Sequence, residues 1–316
     1  MNILKLVAPP LSNYDAERLK DDKEATIWRQ ALSNSNLYMI VQCYESFFIY
    51  DETKLNKSIS ISFTLKLKIS VANVESNFEI DLNEFVNLYN ADLENFSLGF
   101  GFNKDKIIFW ECELFTNKKI RIIETITPKM VLSFKSYGFE NLFLNFTDFT
   151  KLNRYYLHYI GISKSQNSFS RLVVKPHDKR LRILSKENTF NSNNRLTDEI
   201  MLLFFQIEPF RIQIFDGEIH DDLDYTRLIS DAEKAFISIL KSSYNKIQYK
   251  NYPKTNDGLY NDNFTSYGYK IGNPLTLVTN DTIIEGDKFS EYNLMCENAD
   301  SIIIKGNNVE LISNKS

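Results

Sequence analysis

The stretch Arg154-Tyr-Tyr-Leu-His-Tyr-Ile-Gly-Ile162, followed by Ser168–Val174 and Asp178–Lys186, decides how this chain is read. Its aromatic and β-branched residues point to a strand that closes in Tyr159-Ile160-Gly161. The two segments after it have helical character and are parted by Pro176, which a helix interior does not tolerate. Downstream, Thr226–Ser242 is the strongest helix, with Leu228, Ile229, Ala232, Phe236, Ile239 and Leu240 forming an apolar stripe. Ile200–Phe215 is apolar throughout, and Phe210–Phe215 is expected to be a strand. Asn141–Phe146 reads as a strand too. Beyond Asn263 the pieces Thr276–Thr279, Ile283–Ile284, Ser301–Lys305 and Val309–Ser313 suggest a small β-rich extension.

Upstream of this region the pattern differs. Asp15–Ser33 is expected to be a helix, with Leu19, Ala25, Trp28 and Leu32 near helical spacing. Leu37–Tyr50, Ser58–Val74, Lys106–Phe115 and Lys119–Thr127 read as strands, and the Ser58–Val71 part alternates cleanly between apolar and polar residues. Gly99, Gly101 and Asn103-Lys104-Asp105 mark a turn. The expected class is α+β, in three parts: a β-rich recognition or interaction domain over 1–137, a mixed domain over 138–262, and the extension over 263–316.

A chain of 316 residues exceeds one ordinary domain. With 43% apolar residues, 24 Phe and 17 Tyr it has ample material for a core, which excludes disorder as its main state. Long apolar runs are absent, so no membrane-spanning helix and no membrane partner are expected. Cys43, Cys112 and Cys296 are too scattered for a disulfide framework or a metal knuckle, and no full signal-peptide pattern opens the chain. A cytoplasmic location is the expectation. The net charge of −4 hides a basic stretch: Lys151, Arg154, Lys164, Arg171, Lys175, Lys179, Arg180, Arg182 and Lys186 are opposed between them by Asp178 alone. Such a patch either attracts a polyanion or is a solvated face.

Two blocks carry a more specific signal. One is Tyr159-Ile-Gly-Ile-Ser-Lys-Ser-Gln-Asn-Ser-Phe-Ser-Arg-Leu172. The other is Ala232-Glu-Lys-Ala-Phe-Ile-Ser-Ile-Leu-Lys-Ser-Ser-Tyr-Asn245, in which Glu233 precedes Asn245 by twelve positions. Together, over about Gly138 to Tyr260, they resemble the GIY-YIG nuclease family. The resemblance implies a small α/β/α module with a short antiparallel sheet, Mg²⁺ or Mn²⁺ as cofactor, and hydrolysis of phosphodiester bonds in DNA, with RNA left open. It implies catalytic roles for Tyr159, Arg171, His177 and Glu233, with Glu233 as metal ligand. Gly161, Lys175, Lys179, Arg180, Arg182 and Asn245 are expected at the substrate, with Asn245 bracing the site by hydrogen bonds. By analogy of organisation alone, defence against foreign DNA is a fitting setting, with a protein partner or a second copy engaging the N-terminal domain.

The resemblance lacks one piece. The family's Gly-x-Tyr on the first strand has no counterpart in Asn141–Phe146, where Phe143 and Phe146 carry no hydroxyl. That gap makes an inactive nucleic-acid-binding or protein-interaction module the alternative. The residues themselves also leave choices open. Glu233 borders the apolar face of its helix, where a carboxylate needs compensation by a cation. Ser230-Asp-Ala-Glu233 equally fits a capping box, if the helix begins at Ser230. Arg171 either binds phosphate oxygens or is a surface residue, Tyr159 orients water or packs, and Asn245 braces a loop or simply turns it. His177 is the natural base in the absence of a first-strand Tyr, or else a loop residue. Strand alternation sends His158 to the face opposite Tyr159.

Overall fold

The computed structural model describes residues 1–21, 26–50, 60–68, 74–136, 141–191, 195–210, 224–262, 264–290 and 296–314. The protein is mixed α and β and rich in sheet. It divides into two compact units, Met1–Cys43 with Arg154–Ser316, and Tyr44–Asn153. The three sequence segments expected above do not coincide with these units. Residues 1–43 and 267–312 contribute strands to the same sheet as the central region, and 44–153 is inserted in chain order between the directly paired strands Leu37–Cys43 and Arg154–Ile162.

The first unit is built on a ten-stranded sheet. In spatial order its main path runs Ile283–Glu285, Thr276–Val278, Arg154–Ile162, Leu37–Cys43, Ile200–Pro209, Asn2–Leu6, Tyr267–Ile271, Ser301–Lys305 and Asn308–Ile312, with Leu11–Ser12 paired to Ile200–Pro209. Leu37–Cys43 is antiparallel to both its neighbours, and all seven of its residues are buried. A strand covered on both faces needs no polar alternation, and Leu-Tyr-Met-Ile-Val-Gln-Cys has little.

The two faces bury different partners. Leu37, Met39, Val41, Leu157 and Ile160 pack with Leu228, Ala232, Phe236 and Leu240 of the helix Tyr225–Leu240. Burying one such aliphatic or aromatic side chain contributes about 1.5–3 kcal/mol. Tyr38 and Ile40 share the opposite core with Phe169, Leu172, Val173 and Ile183. The helix starts with Asp224 as N-cap, whose carboxylate accepts from the amides of Thr226 and Arg227. Ser230 therefore lies inside the helix, its Oγ donating to the Thr226 carbonyl, and the capping box does not form.

Several expected elements take other shapes. Asp15–Ser33 is two helices, Asn13–Asp21 and Thr26–Ser33, with Trp28 exposed and Ala25 outside the described residues. Leu37–Tyr50 is two strands, Leu37–Cys43 and Glu45–Ile49, in different sheets. The strand expected over Phe210–Phe215 lies, from Arg211 on, outside the described residues, as do His220 and Gly138.

The second unit holds two small sheets. Glu45–Ile49, Ser60–Lys68, Val74–Asp81 and Phe143–Leu144 form one, and Phe96–Phe102, Ile107–Glu113 and Lys119–Ile126 the other. Its core includes Phe63, Phe78, Phe85, Phe109 and Phe143. Asn141–Phe146 thus supplies a two-residue strand paired to Val74–Asp81, remote in topology from the strand of Tyr159.

Candidate functional site

The antiparallel register of Leu37–Cys43 against Arg154–Ile162 puts Tyr38 opposite Gly161. A Cβ at position 161 would lie 2.7 Å from Cζ and Oη of Tyr38 and 2.8 Å from a ring carbon of Tyr159. Glycine is required because the phenol lies across the backbone there. The rings of Tyr38 and Tyr159 are 6.2 Å apart between centroids.

The strand of Tyr159 does not alternate regularly. Its register slips between Leu157 and Tyr159, a bulge that inserts His158. His158 is consequently on the same sheet face as Tyr159, contrary to the alternation expected from sequence: it bonds Gln42 Oε1 at 3.0 Å, while Tyr159 packs toward Tyr38. Burial drives the His158 imidazole down to about 4, and it stands apart from the Tyr38 cluster.

The loop after Gly161 is tied back to the start of the Tyr38 strand. Ser163 N donates to the Asn36 carbonyl and Ser168 N to the Ser35 carbonyl, each at 2.8 Å. The chain then enters a π-helical turn, Ser170–Val174, a geometry that gathers at functional sites. This turn delivers Arg171, whose Nε donates to Tyr38 Oη at 3.3 Å. Pro176 ends it, and His177 becomes the N-cap of Asp178–Lys186, its Nδ1 accepting from the Arg180 amide at 3.3 Å. With Nδ1 an acceptor, the neutral ring carries its hydrogen on Nε2, which donates to Tyr38 Oη at 2.9 Å.

Tyr38 Oη therefore receives two N–H donors. Burial pushes the phenol up, Arg171 pulls it down by hydrogen bond and charge, Glu233 pushes it up, and Tyr159 pulls it down; the balance stays above the ordinary range. Burial drives His177 down to about 4, helped by the positive charges of Arg171 and Arg180. Its Nδ1 is engaged by the helix cap, so it holds Tyr38 rather than standing ready to take a proton.

Glu233 sits in the middle of its helix, partly buried, and makes no hydrogen bond or ion pair among the described residues. Burial pushes its carboxyl up to about 7; Lys234, Lys164 and Arg171 pull the other way. Its field in turn reaches Tyr38, Tyr159, Arg171 and Tyr249. Beside it, Asp257 bridges Lys164, at 3.2 Å, and the buried Lys234. Among the described residues no group of three or more His, Cys, Asp and Glu gathers as a metal cage. A cation at Glu233 would thus take one carboxylate from the protein, the rest of its shell coming from water and substrate.

The remaining expected residues separate into two groups. Asn245 is buried, and its amide clamps Ile160: Oδ1 accepts from the Ile160 N–H at 2.9 Å and Nδ2 donates to its carbonyl at 2.8 Å. It fixes the strand between Tyr159 and Gly161, and Ser242 Oγ also donates to its Oδ1 at 2.6 Å. Gly161 is likewise a spacing residue. Arg180 is buried and consumed by Asn13, Glu17 and the Leu172 carbonyl, so it is removed from the phosphate-binding set. Lys175 is exposed, Lys179 is half-buried, and Arg182 faces Asp178 at 3.9 Å; these three keep their charge accessible.

Tyr38 is the residue missed from sequence. The signal was an Asn36-Leu37-Tyr38 run opening a strand, but its partner strand begins at Arg154.

The chain matches no protein-family model, no curated protein and no solved structure. Two phenols, a guanidinium and an imidazole meet in direct or near contact, with a lone high-pKa carboxylate in electrostatic range. Such a set can orient a water, bind an anion and hold a hard cation. No helix among the described residues is long and apolar enough to cross a membrane.

Proposed function

We propose that the protein is a metal-dependent endonuclease of the GIY-YIG kind that hydrolyses phosphodiester bonds of DNA. The observation that carries this is the pairing of Tyr38 with Gly161, which brings a first-strand hydroxyl beside Tyr159, Arg171 and His177. The alternative, an inactive module, rests on a missing first-strand Tyr; the position of Tyr38 opposite Gly161 supports assigning Tyr38 that part.

Tyr38 holds the attacking water through its hydroxyl. Burial outweighs the Arg171 hydrogen bond and charge and keeps Tyr38 a phenol, so its hydroxyl orients the water rather than deprotonating it. His177 positions Tyr38, and Tyr159 supplies a second hydroxyl. Arg171, with Lys175, Lys179 and Arg182 outside it, neutralises phosphate charge. A divalent cation at Glu233, Mg²⁺ or Mn²⁺, would polarise a phosphate oxygen and stabilise the leaving 3′ oxygen. Asn245 and Gly161 keep the two phenols in register.

The test is plasmid and single-stranded DNA incubated with the full chain and Mg²⁺, Mn²⁺ or EDTA. Metal-dependent nicking is expected, lowered at least about 10²-fold in Tyr38→Phe and in Glu233→Gln with far-UV circular dichroism unchanged. Nicking that persists in EDTA, or in both variants, overturns the proposal. Retention on DNA without nicking by the unaltered chain also overturns it, in favour of a binding module.

A further inference from the structure

The helix Tyr225–Leu240 grips the segment that follows Tyr252 through Arg227, Asp231 and Lys234, which helical spacing puts on one side. Arg227 donates to the Gly258 carbonyl and pairs with Asp262 at 2.6 Å. The buried Asp231 accepts from the Leu259 amide and the Tyr252 hydroxyl. Lys234 pairs with Asp257. The backbone just after Asp257 is thereby fixed, and its carboxylate is delivered to two ammonium groups at once: Lys234, and Lys164 at 3.2 Å.

The members of this bridge are unequal. The Lys234 side chain is 5% exposed, whereas those of Lys164 and Asp257 are 48% and 56% exposed. The carboxylate therefore closes the cluster on its solvent side. A buried ammonium without a counter-charge is costly, so a ligand that takes the place of Asp257 must itself be an anion. Asp257 can give way by rotating its own side chain into water, because Gly258 and Leu259 hold the backbone.

The bridge adjoins the site described above. Lys164 follows Gly161 by three positions, and Lys234 follows Glu233 directly. After burial, the Glu233 carboxyl is acted on by Lys234, Lys164, Arg171 and Asp257, in that order. One two-oxygen anion held by two ammonium groups is also how a phosphate of a nucleic-acid strand is bound by lysine charge.

We propose that Lys164 and Lys234 form a subsite for one phosphate of the DNA strand, filled by the Asp257 carboxylate until the strand arrives, a role that rests on the nuclease function proposed above. The phosphate takes both ammonium groups and Asp257 turns out to solvent. One anion replaces another, so Lys234 stays paired throughout. Asp257 competes with DNA and sets its affinity.

The test is fluorescence anisotropy of the full chain in EDTA with a short labelled single-stranded DNA. Asp257→Asn removes the competing charge and should bind about 3- to 10-fold more tightly. Lys164→Ala should bind more weakly and lower the salt slope by about 0.7. On the Lys164→Ala background the gain from Asp257→Asn should fall to less than half, because the two side chains act on each other. An equal gain on both backgrounds reports net charge alone and overturns the subsite. Asp257→Asn that folds, by far-UV circular dichroism, and binds no more tightly than the unaltered chain also overturns it. Lys164→Ala with unaltered affinity and slope overturns it whether or not Asp257→Asn folds. A thermal midpoint of Asp257→Asn that rises with inorganic phosphate, while its DNA affinity is unchanged, replaces the strand by the free ion. Because nothing is cleaved in EDTA, a chain that binds as expected but never nicks DNA in Mg²⁺ overturns the nuclease reading alone.

Discussion

Tyr38 and His177 stand 139 positions apart in the chain and 2.9 Å apart between Oη and Nε2. The contact ties the middle strand of the large sheet to the first turn of a helix on its face. It also binds the ionisation of the imidazole to the stability of the fold. Burial, Arg171 and Arg180 hold the ring's pKa near 4, against an ordinary value of 6.5. Between those values the unfolded chain takes up a proton that the folded chain refuses. The stabilisation is complete above pH 6.5 and is lost as pH falls toward 4. His177→Asn keeps a capping side chain but cannot titrate. Its thermal midpoint should fall less steeply than that of the unaltered chain between pH 6.5 and 4, and parallel curves would refute the linkage.

Glu233 has the opposite sign. Its carboxyl is raised to about 7 from an ordinary 4.5, so across that interval the folded chain keeps a proton that the unfolded chain has released. Stability from this group is full at low pH and declines as pH rises through 7. Glu233→Gln removes the titration while keeping the shape. In the absence of divalent metal, the variant should match the unaltered chain near pH 4.5 and exceed it by about 1 kcal/mol above pH 7, roughly 2–4 °C in midpoint. Added Mg²⁺ should narrow that difference by stabilising only the chain with the carboxylate.

Gly161→Ala is the sharpest geometric test of the pairing. The new methyl group would press on the Tyr38 phenol and the Tyr159 ring, both part of the packed site. Overpacking of this kind costs about 1–3 kcal/mol. Nicking should fall more than stability does, because the displaced atoms include Tyr38 Oη itself. Tyr38→Phe with Gly161→Ala should then be no less active than Tyr38→Phe alone; a further large loss would mean that Gly161 acts elsewhere.

The basic stretch divides by the same logic. Arg180→Ala strips Asn13, Glu17 and the Leu172 carbonyl of their partner and leaves buried acceptors unpaired. It should cost about 2–4 kcal/mol in urea denaturation. Lys175→Ala with Lys179→Ala should leave stability within about 0.5 kcal/mol while weakening DNA binding and lowering its salt dependence. The reverse assignment of effects would refute this division.

Part of this was legible in the sequence. The strand ending in Gly161 and the helix of Glu233 follow from local pattern, because periodicity and capping are properties of neighbouring residues. The partnership of Tyr38 with Gly161 is not such a property: the strand Leu37–Cys43 is apolar without alternation, and the segment nearest to Arg154 in sequence pairs elsewhere. Alternation also failed at His158, since an inserted residue flips the facing of its C-terminal neighbours and leaves no mark in composition. Arg180 looked like its basic neighbours because burial of a guanidinium depends on Asn13 and Glu17, far upstream.

The placement of Tyr44–Asn153 between two paired strands bears on how the protein can be dissected. A fragment cut by linear boundaries, such as one beginning near residue 138, would lack the strand that the Tyr159 strand pairs with, and with it the Tyr38 hydroxyl. Cys43 and Tyr155 lie side by side in the register, so a short hairpin loop in place of the intervening segment is the economical way to isolate the first unit.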